Sequence, residues 1–233
     1  MGVIYLIRHG QASYGNDHHG HLSDLGMRQA KILGNYFSKT GMKFHAICSG
    51  SLNRQKATAR AVLARQTEKK PKLKFLPEFD EYDSGAVFTS QLSDMVLEDP
   101  SVSKTLNNIR EYPEKFKELF EQAMRRWISG QHNVPDVETW KAFSMRVWTG
   151  MAKMMTICDD DKRVAVFTSA GTLSVVMQMA LELSDEQTMK LIWKILNTSV
   201  SAFEYDKNGL SLLAFNSATH LEIQNDPQLL TYR

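Results

Sequence analysis

Three short stretches of this 233-residue chain carry side chains that could hold and move a phosphoryl group. The first is Arg8-His9-Gly10, which ends the apolar run Ile4-Tyr5-Leu6-Ile7. An apolar run of this length bounded by polar residues is the pattern of a buried strand. In an open α/β sheet, ligands sit just beyond the carboxyl ends of strands. Arginine offers a planar fork of donors to phosphate oxygens. A neutral imidazole nitrogen can attack phosphorus and carry the phosphoryl group. Glycine beside the histidine lets backbone approach closely.

The second stretch is Ser49-Gly50-Ser51-Leu52-Asn53-Arg54, which follows another apolar run. Ser51 reads as a helix N-cap, which places Arg54 in the first helical turn. The exposed N–H groups and positive dipole end of such a helix favour an anion. The third is Thr168-Ser169-Ala170-Gly171, where small residues follow a strand pattern and open the N-terminus of a helix to a ligand. Gly10, Gln11, Ser169 and Ala170 are the expected phosphate contacts. Cleaving a phosphate ester also needs a proton on the leaving oxygen, and a nearby carboxylic acid can supply it and then activate water. Glu81, in the acidic loop Glu78 to Asp83, is the preferred acid, with Glu78 the alternative.

The elements that must position these groups follow from hydrophobic periodicity. Strands are expected at Val3–Ile7, Phe44–Cys48, Leu73–Leu76 and Arg163–Thr168. Helices are expected from Ser23 or Asp24 to Ser38, and over Leu52–Arg65, Val137–Thr156, Thr172–Leu183 and Ser184–Trp193. Ser199–Tyr205 and Leu210–Phe215 read as a hairpin around Lys207-Asn208-Gly209. Strands alternating with helices imply a three-layer α/β/α sandwich with a mostly parallel sheet, and the hairpin adds an antiparallel edge. Residues 86–134 break the alternation with two or three helices punctuated by Pro100, Pro113 and Pro135. They are expected to form a helical insertion over the site that selects the substrate, within a single domain spanning residues 1–233.

Composition excludes several classes. There are 28 Lys and Arg against 26 Asp and Glu, a net charge of +2, too balanced for a nucleic-acid or membrane surface. No window approaches the ~18 apolar residues of a membrane span. The chain enters a strand at once, without a charged, apolar leader, so the expected location is the cytoplasm. Cys48 and Cys158 have no ligand spacing and read as free thiols. His18, His19 and His21 read as solvated loop residues rather than metal ligands, and Asp159-Asp160-Asp161 as a solvated turn. Met151, Met154 and Met155 beside Trp148 read as core packing. Lys69-Lys70-Pro71-Lys72 reads as a short basic loop, and Arg110, Lys115, Arg125 and Arg126 as solvated faces.

Taken in order, these blocks resemble the histidine phosphatase superfamily, the phosphoglycerate-mutase-like proteins, over nearly the whole chain. The resemblance is carried by Leu6-Ile7-Arg8-His9-Gly10-Gln11, by Leu22-Ser23-Asp24-Leu25-Gly26 with Gln29-Ala30, and by Ser49 to Arg54 followed by Thr58-Ala59. Glu138, Arg146-Val147 and Asn216 to Leu221 echo later family blocks. It implies that His9 is the phosphorylated nucleophile, that Arg8 and Arg54 grip the phosphoryl oxygens, and that Glu81 is the proton donor. It implies no cofactor and no metal. The partner would be a small phosphorylated substrate or a phosphoprotein.

Two departures refine it. The family usually carries a second histidine after the 164–167 strand, where this chain has Ser169. A serine hydroxyl donates one hydrogen bond but carries no charge, and losing a charged donor typically costs about 10²–10³ in rate. His220 matches a different block. Phosphoglycerate mutases follow the opening motif with a tryptophan- and asparagine-rich segment, where this chain reads Ala12-Ser13-Tyr14-Gly15-Asn16-Asp17. The expected activity is therefore a metal-independent phosphoric monoester hydrolase, with a weakened phosphate-binding or regulatory member as the alternative and a mutase behind both.

Overall fold

The computed structural model describes residues 2–13, 20–66, 71–108, 113–157, 162–206 and 209–232. Its elements are β1 (Gly2–Arg8), α1 (Asp24–Lys39), β2 (Ala46–Ser49), α2 (Asn53–Leu63), β3 (Leu73–Phe75), α3 (Ser84–Glu98), α4 (Ser101–Asn107), α5 (Pro113–Ser129), α6 (Trp140–Ile157), β4 (Arg163–Thr168), α7 (Ala170–Leu181), α8 (Asp185–Ile192), β5 (Val200–Asp206), β6 (Gly209–Ser217) and α9 (Thr219–Glu222). They divide into two compact units, one of residues 1–81 with 146–233 and one of Tyr82–Met145. The second unit is wider than the 86–134 break in the sequence pattern.

In the first unit six strands form one sheet in the order β3-β2-β4-β1-β5-β6. β1 lies parallel to β4, with Arg8 opposite Thr168, and antiparallel to β5. β2 is parallel to both β3 and β4. The hairpin β5–β6 supplies the antiparallel edge, as its alternation implies. Ile7, Ile47, Ala165 and Phe167 pack with Ala30, Leu33 and Phe37 of α1 and Ala59 and Val62 of α2 in one core. Because side chains alternate along a strand, Ile4, Leu6, Val164 and Val166 face the other way. They are equally buried, so the sheet is covered on both faces. α7, buried along Ala170–Met177, contacts β1 and β6.

The helix starts follow local chemistry. Ser23 accepts from Gly26 N–H and caps α1, and Ser184 with Gln187 forms a capping box on α8. α2 departs from expectation. Leu52, not Ser51, occupies the N-cap, because the Ser51 hydroxyl and N–H are both taken by the Asp80 carboxylate. Gln55 reaches back instead, accepting the Leu52 N–H at 3.2 Å. α7 begins at Ala170 rather than Thr172. α6 begins at Trp140 rather than Val137, because Asp136 adopts φ 63° and Thr139 Oγ1 accepts the Ala142 N–H. β2 begins at Ala46 rather than Phe44, and His45 just before it still donates its N–H to the Arg163 carbonyl of β4. Met151 and Met154 are buried as expected, but Trp148 is 52% exposed. Cys48 is a buried thiol outside any disulfide.

The second unit is held by two aromatic groups. Tyr82, Trp127, Trp140 and Phe143 stack at centroid distances of 4.6–6.2 Å. Phe88, Phe116 and Phe120 form the other. Arg126 corrects the solvated-face reading. Its side chain is 11% exposed, and its guanidinium bonds both oxygens of Glu98, with Asp94 and His132 alongside. Arg125 is exposed, as read. Among the described residues no helix is long and apolar enough to cross a membrane. Tyr14 to His19, Lys69, Lys70, Arg110, Cys158 to Asp161, Lys207 and Asn208 lie outside the described residues.

Candidate active site

His9 leaves the end of β1 with its backbone fully committed. Its N–H donates to the Thr168 carbonyl at 2.8 Å, and its carbonyl accepts from Asn197 Nδ2 at 3.1 Å and Thr198 N–H at 3.3 Å. Thr198 holds φ 58°, a left-handed conformation that costs energy for a β-branched residue, and its hydroxyl meets Nε2 of buried His220 at 3.0 Å. Asn197 Oδ1 accepts from Thr231 Oγ1, which in turn accepts from Gln29 Nε2. Gln29 also accepts the Gln11 N–H at 2.9 Å. A closed polar relay thus runs beneath the histidine.

The imidazole itself is almost fully buried, at 6% exposure. Nδ1 lies 2.7 Å from the Gly10 carbonyl, which can only accept, so Nδ1 carries the proton of the neutral ring. Nε2 therefore holds the lone pair, and Arg54 Nε–H donates to it at 3.1 Å. Burial, then the Arg54 charge, then the Arg8 charge hold the His9 pKa well below its ordinary 6.5. A neutral imidazole is the form a nucleophile needs at neutral pH. Arg54 sits in the first turn of α2, and Arg8, 7% exposed, is anchored by Nη1 on the Ile195 carbonyl.

Ser169 follows Thr168 and so flanks His9 across the β1–β4 pair. It is fully buried, and its Oγ accepts from Gln55 Nε2 at 2.9 Å. Glu81 reaches the same helix start, where Oε2 accepts the Gly171 N–H at 2.9 Å. Glu78 does not. It pairs with Lys153 of α6, which holds its carboxyl below the usual range. The turn bearing Glu81 is clamped from several sides. Arg146 Nη1 donates to the carbonyls of Pro77 and Asp80 at 3.0 and 2.9 Å, and Thr168 Oγ1 to that of Phe79 at 2.8 Å.

The structure therefore brings His9 and Arg54 into contact, with Arg8 preceding His9 on β1 and Ser169 following Thr168 on β4, and it places Glu81, not Glu78, at the α7 N-terminus. It gives Gly10 and Gln11 a different part. Gly10 N–H is spent on Thr58 Oγ1 at 3.0 Å, and Gln11 N–H on Gln29. A Cβ at Gly10 would sit 2.4 Å from the Gly26 carbonyl, so this glycine allows the close approach of the loop to α1. Gln29, Gln55, Asn197, Thr198 and Thr231 were not among the expected site residues. Gln29 and Gln55 do leave a signal, since each is an amide on the apolar face of a helix, where an unpaired polar group would be costly.

The profile of the histidine phosphatase superfamily (branch 1) matches residues 4–218. Among solved structures, a putative alpha-ribazole-5'-P phosphatase from Escherichia coli is similar, with 21% identity over 92% of this chain and 96% of that one and a TM-score of 0.62. A phosphoglycerate mutase from Bacillus anthracis shares 17% identity over 96% of each chain, with a TM-score of 0.66. A phosphoserine phosphatase from Entamoeba histolytica, in complex with 3-phosphoglyceric acid, shares 17% identity over 95% of this chain and all of that one, with a TM-score of 0.62. No curated protein sequence matches significantly. The profile covers the β1 triplet, the Arg54 turn and the Ser169 turn alike, and the chain belongs to the histidine phosphatase superfamily, branch 1.

Proposed function

We propose that this protein hydrolyses phosphate monoesters through a phosphohistidine at His9, without a metal or other cofactor. The observation that carries this reading is the buried, neutral His9 ring, its Nδ1 proton held by Gly10 and its Nε2 lone pair facing Arg54. In the first half-reaction Nε2 attacks phosphorus in line, the bond from phosphorus to the leaving oxygen breaks, and Glu81 gives that oxygen its proton. Arg8, Arg54 and Ser169 hold the equatorial oxygens. In the second, the Glu81 carboxylate takes a proton from water, the oxygen attacks phosphorus, and the N–P bond breaks to free inorganic phosphate. His9 returns neutral and Glu81 protonated. The substrate is a small phosphorylated molecule or a phosphoprotein.

The test is phosphate release from an aryl phosphate across pH 5–8 in the presence of chelator. Wild type should release phosphate and His9→Ala should lose at least about 10³-fold. Turnover unchanged by His9→Ala would overturn the reading. A product that is an isomer of the substrate, in place of free phosphate, would instead make it a mutase.

One observation favours a second reading. The third grip on the anion, Ser169, is neutral. A family member that binds phosphate and acts through that binding would take up vanadate yet turn over no ester on a broad panel.

A further inference from the structure

Gln55 is a fully buried amide in the first turn of α2, one residue after Arg54. Each of its polar atoms is committed, and to three different segments. Oε1 accepts the Leu52 N–H at the start of α2, while Nε2 donates to the Phe79 carbonyl at 3.0 Å and to Ser169 Oγ at 2.9 Å. The fit is close. A Cβ added at Gly50 would come within 2.0 Å of Gln55 Oε1 and 2.7 Å of Asp80 Oδ1.

These contacts fix the chemistry of Ser169. An amide N–H can only donate, so the Ser169 oxygen is the acceptor in that pair and its own proton must point elsewhere. Among the described residues no acceptor takes that proton. A buried hydroxyl with one lone pair occupied and its proton undirected is a neutral donor kept for an incoming acceptor. Its position beside His9 makes an anion at that histidine the acceptor within reach. Gln55 also bonds the carbonyl of Phe79, two residues before Glu81, so one side chain links Arg54's helix, the hydroxyl and the acid's turn.

We propose that Gln55 is the positioning residue of the anion site, holding Ser169 as a neutral hydroxyl donor toward phosphoryl oxygens and coupling it to the turn that carries Glu81. This rests on the phosphatase reading above. Gln55 touches no reacting atom and acts through Ser169.

The experiment compares wild type, Ser169→Ala, Gln55→Met and the double variant in the whole protein. It reads vanadate affinity, because vanadate reproduces the five-coordinate phosphoryl group without turnover, together with kcat and KM. Hydrogen bonds to charged groups predict that each single change weakens vanadate binding about 10- to 100-fold. In each, kcat should fall by a similar factor while KM changes less than about 3-fold. The double variant should be no more than about 3-fold worse than the weaker single, since both remove the same donor. Gln55→Met that folds and binds vanadate as wild type does would overturn the proposal, as would effects that multiply in the double variant. If Gln55→Met does not fold, Ser169→Ala, which removes one buried oxygen, still decides it, and unchanged vanadate affinity there overturns the proposal. Failure of the underlying reading looks different. Wild type itself would then neither bind vanadate nor release phosphate.

Discussion

Arg54 Nε–H and His9 Nε2 meet at 3.1 Å, so the residue proposed to grip the phosphoryl group hydrogen-bonds the very lone pair proposed to attack it. In the proposed reaction that bond has to give way before Nε2 can attack, and in the resting site the Arg54 charge adds to burial in disfavouring a protonated ring. Arg54→Gln should lower kcat about 10²–10³-fold. Removing that positive neighbour should also raise the His9 pKa toward 6.5, because a like charge disfavours the imidazolium. Histidine NMR titration checks the second effect independently of activity; a His9 pKa that falls in Arg54→Gln would contradict it.

The two candidate acids are separated by their partners. Glu78 is tied to Lys153 and held ionised, whereas Glu81 lies at the start of α7 beside Ser169. Glu81→Gln should cost about 10²–10⁴ in kcat on alkyl phosphates, and less on aryl phosphates whose leaving oxygen needs no proton. Glu78→Gln should stay within about 3-fold on both. Steady-state rates on the two ester classes give the comparison, and equal losses in the two variants would refute the assignment.

Thr231 lies far in sequence from His9, yet its hydroxyl bridges Gln29 and Asn197, which holds the His9 carbonyl. Thr231→Val leaves two amides without their shared partner and should cost about 1–3 kcal/mol in chemical denaturation. Asn197→Ala, which frees the carbonyl directly, should lower kcat more than Thr231→Val at comparable stability.

His220 provides a pH test of stability. Burial lowers its pKa from 6.5 to about 4. A histidine whose folded pKa is depressed stabilises the fold above its unfolded value and withdraws that stability as pH falls through the interval. Each pH unit from 6.5 down to about 4 should remove about 1.4 kcal/mol through this residue. Denaturation midpoints at pH 7, 6, 5 and 4 should fall more shallowly in His220→Gln than in wild type. His9, depressed by burial with the Arg54 and Arg8 charges added, should contribute a slope of the same sign.

Strand ends and helix caps are the parts of this site that local sequence encodes. Arg8-His9-Gly10 and Thr168-Ser169 are legible because an apolar run stops at them, and Ser23 and Ser184 cap helices that local patterns delimit. Ser51 is not the cap of α2, for a long-range reason. A serine before a helix is a cap only if nothing better competes for its hydroxyl, and Asp80, 29 residues on, does. The relay through Gln29, Thr231, Asn197 and His9 is invisible for the same reason, since its partners are about 200 residues apart along the chain. Periodicity marks Gln29 and Gln55 as polar residues on buried faces, but it cannot say what they bond.

The placement of β1 has a kinetic consequence. This strand, formed by residues 2–8, lies between β4 and β5, whose residues begin at 163 and 200, and the peptide after it is fastened through Thr231. The middle of the sheet is thus closed by contacts of very high sequence separation, the kind that slow folding because loop closure must precede any reward. During synthesis Ile4, Leu6 and Ile7 have no strand partner until the residues from 163 onward have emerged. The nascent chain therefore carries an apolar strand unpaired through most of its growth, and exposed strand edges of this kind are the surfaces that chaperones shield.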